Sequence, residues 1–140
     1  MVVRRSENQM SRDEITGKCY CGDVQYRVTK GIDGAGICYC EDCTRVVGSL
    51  VTVWTIVPAG GIEFTQGQPA YFKSSSKATR TFCPRCGTSL TYHHCDAKTM
   101  DVATATLDDP SLSPPTSDGP NCARPLWMTA LVNKPMVGPG

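Results

Sequence analysis

The sequence predicts a mostly β domain of short strands held together by clustered cysteines. Three observations lead there. Apolar and β-branched residues alternate with polar ones over short stretches such as 24–28, or run together as in 50–57, and both patterns are those of strands. Glycines and prolines end these stretches, and no long amphipathic helical pattern occurs. Of nine cysteines, seven stand in Cys-x-Cys or Cys-x-x-Cys spacing: Cys19, Cys21, Cys38, Cys40, Cys43, Cys83 and Cys86.

The chain of 140 residues suits one domain with a modest core. Its 14 basic and 13 acidic residues leave a net charge of +1. That balance gives no general pull toward nucleic acid or an anionic membrane surface. No apolar run approaches the roughly 20 residues a membrane-spanning helix needs. The first residues are basic but no apolar stretch follows, so they do not read as a secretory signal.

Cys83-Pro84-Arg85-Cys86-Gly87 is a tight turn that aims two sulfurs at one point, half of a tetrahedral zinc site. Cys19-Tyr20-Cys21-Gly22 is the natural other half, and a shared metal would close a loop of about 60 residues. A lone Cys-x-x-Cys also occurs as a redox pair, and many cysteines also occur in secreted disulfide scaffolds. Neighbours as close as Cys19 and Cys21 make poor disulfide partners. The reading is therefore a metal protein of a reducing compartment, taken to be cytoplasmic.

Along the chain, residues 1–16 lack a period and are expected to form a loose tail, with the folded part running over 17–132 and a second tail over 133–140. Strands are expected at Val24–Val28, Ala35–Tyr39, Leu50–Val57, Ile62–Thr65, Tyr71–Phe72, Ala78–Phe82, Ser89–Tyr92, Val102–Leu107 and Leu126–Val132. Leu50–Val57 is the strongest and is assigned a central place. Asp42 is expected to cap a helical turn through Thr44 and Arg45, with Val46 and Val47 packed. Ser74–Lys77 reads as a solvent-facing loop. The proline-rich segment Ser111–Pro125 reads as a long loop or lid, expected to border Cys38, Cys40 and Cys43.

Three motifs taken together resemble one family. Gly17-x-Cys19-x-Cys21-Gly22-x-Val24-x-Tyr26, Cys38-x-Cys40-x-x-Cys43-x-Arg45 and Arg80-x-Phe82-Cys83-x-x-Cys86-Gly87-x-x-Leu90 are similar to the glutathione-dependent formaldehyde-activating enzyme family, also called the centromere-protein-V family. Thr106-Leu107-Asp108-Asp109-Pro110 and Trp127 fit two further family features. The resemblance implies a zinc-stabilised Mss4-like, or β-tent, fold of short antiparallel sheets with two Zn2+ per chain. Cys19, Cys21, Cys83 and Cys86 match the structural zinc, and Cys38, Cys40 and Cys43 match a second, more labile zinc linked to the reaction. The implied activity is that of a carbon–sulfur lyase similar to S-(hydroxymethyl)glutathione synthase, with glutathione and formaldehyde as partners. Tyr39 stands where relatives often carry His, and Cys122 lies where a His is common.

Four thiolates saturate a zinc ion and close it to substrate, whereas three leave a position open. Backbone N–H groups around Gly22 and Gly87 are expected to bond the four-cysteine sulfurs. At the open position a substrate thiol would attack a small carbonyl. Arg45 is a candidate for holding a substrate carboxylate through its planar fork, or for an ion pair with Glu41 or Asp42. Tyr39 is a candidate phenol donor. His93 and His94 point to opposite faces if they lie on a strand, one exposed and one partly buried. Trp54 and Trp127 read as core residues or as pocket walls. Cys95 and Cys122 are free thiols by count, and either could close the second site and make it purely structural. A non-catalytic zinc-stabilised protein-interaction module is therefore the alternative function, and a methionine-sulfoxide-reductase-like redox enzyme is a third.

Overall fold

The computed structural model describes residues 14–118, 125, 127 and 128. Among these, two sheets carry the fold. The smaller has the order β1-β2-β5, from β1 (Ile15–Lys18), β2 (Gln25–Val28) and β5 (Ile62–Gln66). The larger is built from β3 (Gly34–Cys38), β4 (Thr52–Pro58), β6 (Ala70–Lys73), β7 (Ala78–Phe82), β8 (Ser89–His94), β9 (Thr99–Ala103) and β10 (Ser117–Asp118). Its order is β10-β3-β4-β9-β8-β7-β6, open at both ends. Neighbouring strands are antiparallel except for β10 beside β3, which is parallel. One helix, α1 (Glu41–Val47), follows β3. This is the open, mostly β architecture of the Mss4-like fold.

β4 lies between β3 and β9, the central place expected for the most apolar strand. Strand alternation then divides the larger sheet into two faces. One face carries Thr55, Val57, Thr81, Thr91 and Val102, all buried. Val57, Val102 and Leu90 join Val24, Tyr26 and Val28 of the smaller sheet, with Cys19, Cys83 and Leu107, in a single core. The opposite face carries Trp54, Arg80, Tyr92 and Asp101. In the strand register Tyr92 stands opposite both Arg80 and Asp101, so the three form one row across β7, β8 and β9.

Several elements differ from expectation. β1 begins at Ile15, two residues before Gly17, because Ile15 pairs with Val28 and packs on the core. The strand expected over 102–107 gives way to a 3-10 turn at Thr104–Thr106. The turn lets the Thr104 hydroxyl meet Thr55 at 2.8 Å and the Thr106 hydroxyl meet the Tyr26 phenol at 2.7 Å. The described part of the proline-rich segment, up to Asp118, is not a plain loop. It holds a 3-10 turn at Pro110–Leu112, bonds the Ser113 hydroxyl to Thr55, and includes β10 beside β3. Asp118 there pairs with Ile37, the neighbour of Cys38, and the expected lid beyond it (119–124) lies outside the described residues. So does most of the strand expected over 126–132. Trp127 is described, and at 53% exposure it is no core residue.

Candidate metal centre

Two groups of cysteines each bring their sulfurs within 4.8 Å of one another: Cys19, Cys21, Cys83 and Cys86, and Cys38, Cys40 and Cys43. Both were legible from spacing, and the first joins residues 62 apart in the chain.

The four-cysteine group is made by two similar turns. Cys19 donates its N–H to the Val24 carbonyl, and Cys83 donates to Thr88, each five residues ahead. Gly22 and Gly87, at φ of +83° and +79°, supply the left-handed step that folds each turn back. Their own N–H groups bond the carbonyls of Cys19 and Cys83. Backbone N–H groups beside them bond the sulfurs, as expected: Val24 N–H at 3.3 Å from Cys19 and Cys86 N–H at 3.5 Å from Cys83. The Tyr20 N–H reaches across to the Thr88 hydroxyl and joins the turns. Cys19 and Cys21 sulfurs are 3.6 Å apart, and Cys21 and Cys83 sulfurs 3.8 Å. A tetrahedral zinc with bonds of about 2.3 Å has sulfur–sulfur edges of about 3.8 Å, so the donor set fits the ion. Cys86 is lowered to about 5 by the Thr88 hydroxyl and by backbone donors, the ligating form of a thiol.

The three-cysteine group is one short stretch at the end of β3 and the start of α1. Trp54 donates its indole N–H to Thr52, whose hydroxyl donates to the Cys38 carbonyl at 2.7 Å. β4 thereby fixes the end of β3. Cys40, not Asp42, caps the helix: its sulfur accepts from the Cys43 N–H at 3.4 Å. A sulfur in the capping position has displaced the carboxylate, and Asp42 with Glu41 occupies the first turn, where negative charge suits the helix dipole. Burial pushes the Cys43 thiol up, against the pull of Arg80. Three half-buried sulfurs, two of them accepting N–H bonds, beside a buried guanidinium, suit a divalent soft-ligand ion with one position left for another donor.

Those cysteines open onto a cavity of about 310 Å3, whose floor and walls include Trp54, Ser74, Ser75, Arg80, Tyr92 and Asp101. Arg80 is buried. Its Nη2 donates to the Cys43 sulfur at 3.6 Å, and its guanidinium carbon sits 4.6 Å from the centre of the Tyr92 ring. Burial raises both the Tyr92 phenol and the Asp101 carboxyl above their ordinary values.

Other expected site residues fall elsewhere. Arg45 is exposed, pairs with Glu41 at 3.0 Å, and borders a different recess with Ser49 and Leu50. Tyr39 is half-buried between two of the cysteines and does not line the cavity. Val46 and Val47 are exposed, because α1 buries none of its residues. His93 and His94 are both half-buried, where one was expected to be exposed and one partly buried. Among the described residues no fourth ligand joins Cys38, Cys40 and Cys43. Cys95 instead lies with His94 and Asp96, where Asp96 is already paired with Lys77 and its N–H bonds His94 Nδ1. Cys122 lies outside the described residues. Trp54 is both buried and a cavity wall.

The loop Ser74–Ser75, Arg80, Tyr92 and Asp101 were not singled out for the site from sequence. One signal was there: Arg80 falls in step with Ala78 on a short strand, at an inward position where a charge is unusual.

Comparison with known proteins bears on the fold and the family. A crystal structure of a Rhodobacter sphaeroides protein, a structural-genomics target, is similar in fold, with a TM-score of 0.59 at 21% identity, covering 74% of this chain and 99% of that one. None of the curated proteins compared with the chain matches it. A family model described as glutathione-dependent formaldehyde-activating enzyme matches residues 14–130. With both cysteine groups in the places that the motifs assign them, the chain belongs to the glutathione-dependent formaldehyde-activating enzyme family.

Proposed function

We propose that this chain is a zinc enzyme of the carbon–sulfur lyase type that joins a small thiol such as glutathione to a small aldehyde such as formaldehyde, and reverses that reaction. The observation that carries this reading is the opening of Cys38, Cys40 and Cys43 onto a cavity that also holds a buried guanidinium, a phenol and a carboxyl. Two Zn2+ are assigned per chain, with Cys19, Cys21, Cys83 and Cys86 structural and Cys38, Cys40 and Cys43 at the reaction site. The second zinc, when bound, supplies a Lewis acid that favours the deprotonated form of a substrate sulfur.

The reaction forms one S–C bond, and the thiol proton ends on the former carbonyl oxygen, with no change of oxidation state. Tyr92 and Asp101 face the cavity, so the phenol O–H and the carboxyl are placed to pass that proton to the oxygen; burial raises both groups above their ordinary values. Thiol chemistry and free cysteines call for a reducing compartment, and we assign the cytoplasm. Equilibration of 13C-formaldehyde with glutathione, followed by exchange NMR, tests the reading. The zinc-loaded chain should speed adduct formation and breakdown equally. A rate equal to that of the buffer with both sites filled would overturn it.

A second reading, the zinc-stabilised interaction module, is favoured by the exposure of Val46, Val47 and Leu50 around a helix with no buried residue. In that case Cys40→Ala would leave partner binding intact, whereas the enzyme would lose its activity.

A further inference from the structure

Arg80 is the most conspicuous unexplained group in the molecule. It is 4% exposed, and its Nε and Nη1 are buried with no partner. A guanidinium stays charged at any ordinary pH, and a buried charge is costly unless paired. Among the described residues no carboxylate forms an ion pair with it. Asp101 lies in the same row but beyond ion-pair distance, and burial favours its neutral form. Tyr92 offers Arg80 a ring face, which compensates only part of a full charge. The hydrogen-bond acceptor it does reach is the sulfur of Cys43.

We propose that Arg80 is the built-in counter-charge of the three-cysteine centre and makes its open position prefer an anionic ligand over a neutral one. This rests on the reading of Cys38, Cys40 and Cys43 as a metal centre with an open position. A divalent ion with three thiolates carries a net −1, which Arg80 balances. Asp42 also lines the cavity, so an anion arriving at the fourth position meets one unit less of negative charge than it would without Arg80, while a neutral ligand is indifferent to the difference. The four-cysteine group differs in this respect. Its nearby cation, Arg85, is on the surface and already paired with Asp23.

The test uses the full chain with cobalt(II) in both centres, read by its visible and near-ultraviolet bands as azide, imidazole or glutathione is added. Arg80→Gln should weaken azide by about tenfold or more, as a lost unit charge within several ångströms requires, and leave imidazole within about twofold. Arg80→Lys should keep most of the azide affinity. A parallel change for azide and imidazole, no change for either, or a parent centre that takes neither would overturn the proposal. If Arg80→Gln does not hold cobalt, Arg80→Lys decides: loading with the azide preference kept supports the counter-charge, and loading with the preference lost overturns it. Glutathione separates this from the proposed function. If azide selectivity depends on Arg80 but glutathione leaves the bands unchanged, the thiol reading fails and the counter-charge stands. If glutathione binds and selectivity ignores Arg80, the reverse holds.

Discussion

The two cysteine groups are made of the same atoms, and the chain places them in different settings. The first gathers two turns 62 residues apart and puts Cys19 and Cys83 in the core, at 1% and 0% exposure. It ties the turn between β1 and β2 of the smaller sheet to the turn between β7 and β8 of the larger. The second gathers six consecutive residues, lies half-buried on the far face of the larger sheet, and contributes nothing to the core. A ligand set that closes a long loop stabilises the fold, while one within a short stretch closes almost no chain. Position in the sequence therefore supports the proposed roles of staple and reaction site, before any difference in ligand number is considered.

The largest expected contrast comes from removing one sulfur from each group. Cys83→Ala should release the first metal and abolish the cooperative melt, since a structural zinc site contributes about 10 kcal/mol or more, as much as a whole domain's stability. Cys40→Ala should empty the second group and lower the melting temperature by about 5 °C or less, the cost of a lost helix cap. Metal analysis with circular dichroism on both variants checks this, and equal losses would erase the distinction.

Glycines beside each group sharpen it. Gly67 and Gly48 share a φ of +74°. A Cβ on Gly67 would stand 2.1 Å from the Asp23 carbonyl oxygen, close behind the first group, whereas one on Gly48, at the end of α1, meets nothing within 4 Å. Gly67→Ala should cost about 3 kcal/mol, through both clash and backbone strain. Gly48→Ala should cost about 1 kcal/mol, through backbone strain alone. Urea unfolding of the two variants measures the difference.

Arg45→Ala should have the smallest effect. The Arg45–Glu41 pair is four-fifths exposed at both ends, so its loss should change stability by less than about 0.5 kcal/mol. Thiol affinity should stay as in the parent, measured on the cobalt-loaded chain.

Much of the fold could be read from the sequence because short strands announce themselves by alternation and by the glycines and prolines that end them. Leu50–Val57 was placed at the centre of a sheet by its apolar, β-branched run and Trp54. The cysteine groups were legible because metal geometry constrains spacing. The cavity was not. Arg80, Tyr92 and Asp101 meet through the register of β7, β8 and β9, and register depends on a bulge between Thr81 and Phe82 that no local pattern marks. Arg45 was singled out for its nearness to Cys43 in the chain, yet the turn of α1 carries it toward solvent. Val46 and Val47 look like packing residues in any window, but a seven-residue helix held by a sulfur cap and Gly48 needs no buried face of its own.

Stepwise removal of zinc tests the account most directly. The zinc-loaded chain is titrated with a chelator of graded strength while free zinc, circular dichroism and adduct-forming activity are followed together. Two zinc ions per chain are expected. The first to leave should come from Cys38, Cys40 and Cys43, taking the activity with it while the β spectrum stays, and added zinc should restore the activity. The second should leave only with the fold. Release of both ions in one step together with the fold, or activity that survives the first release, would contradict it.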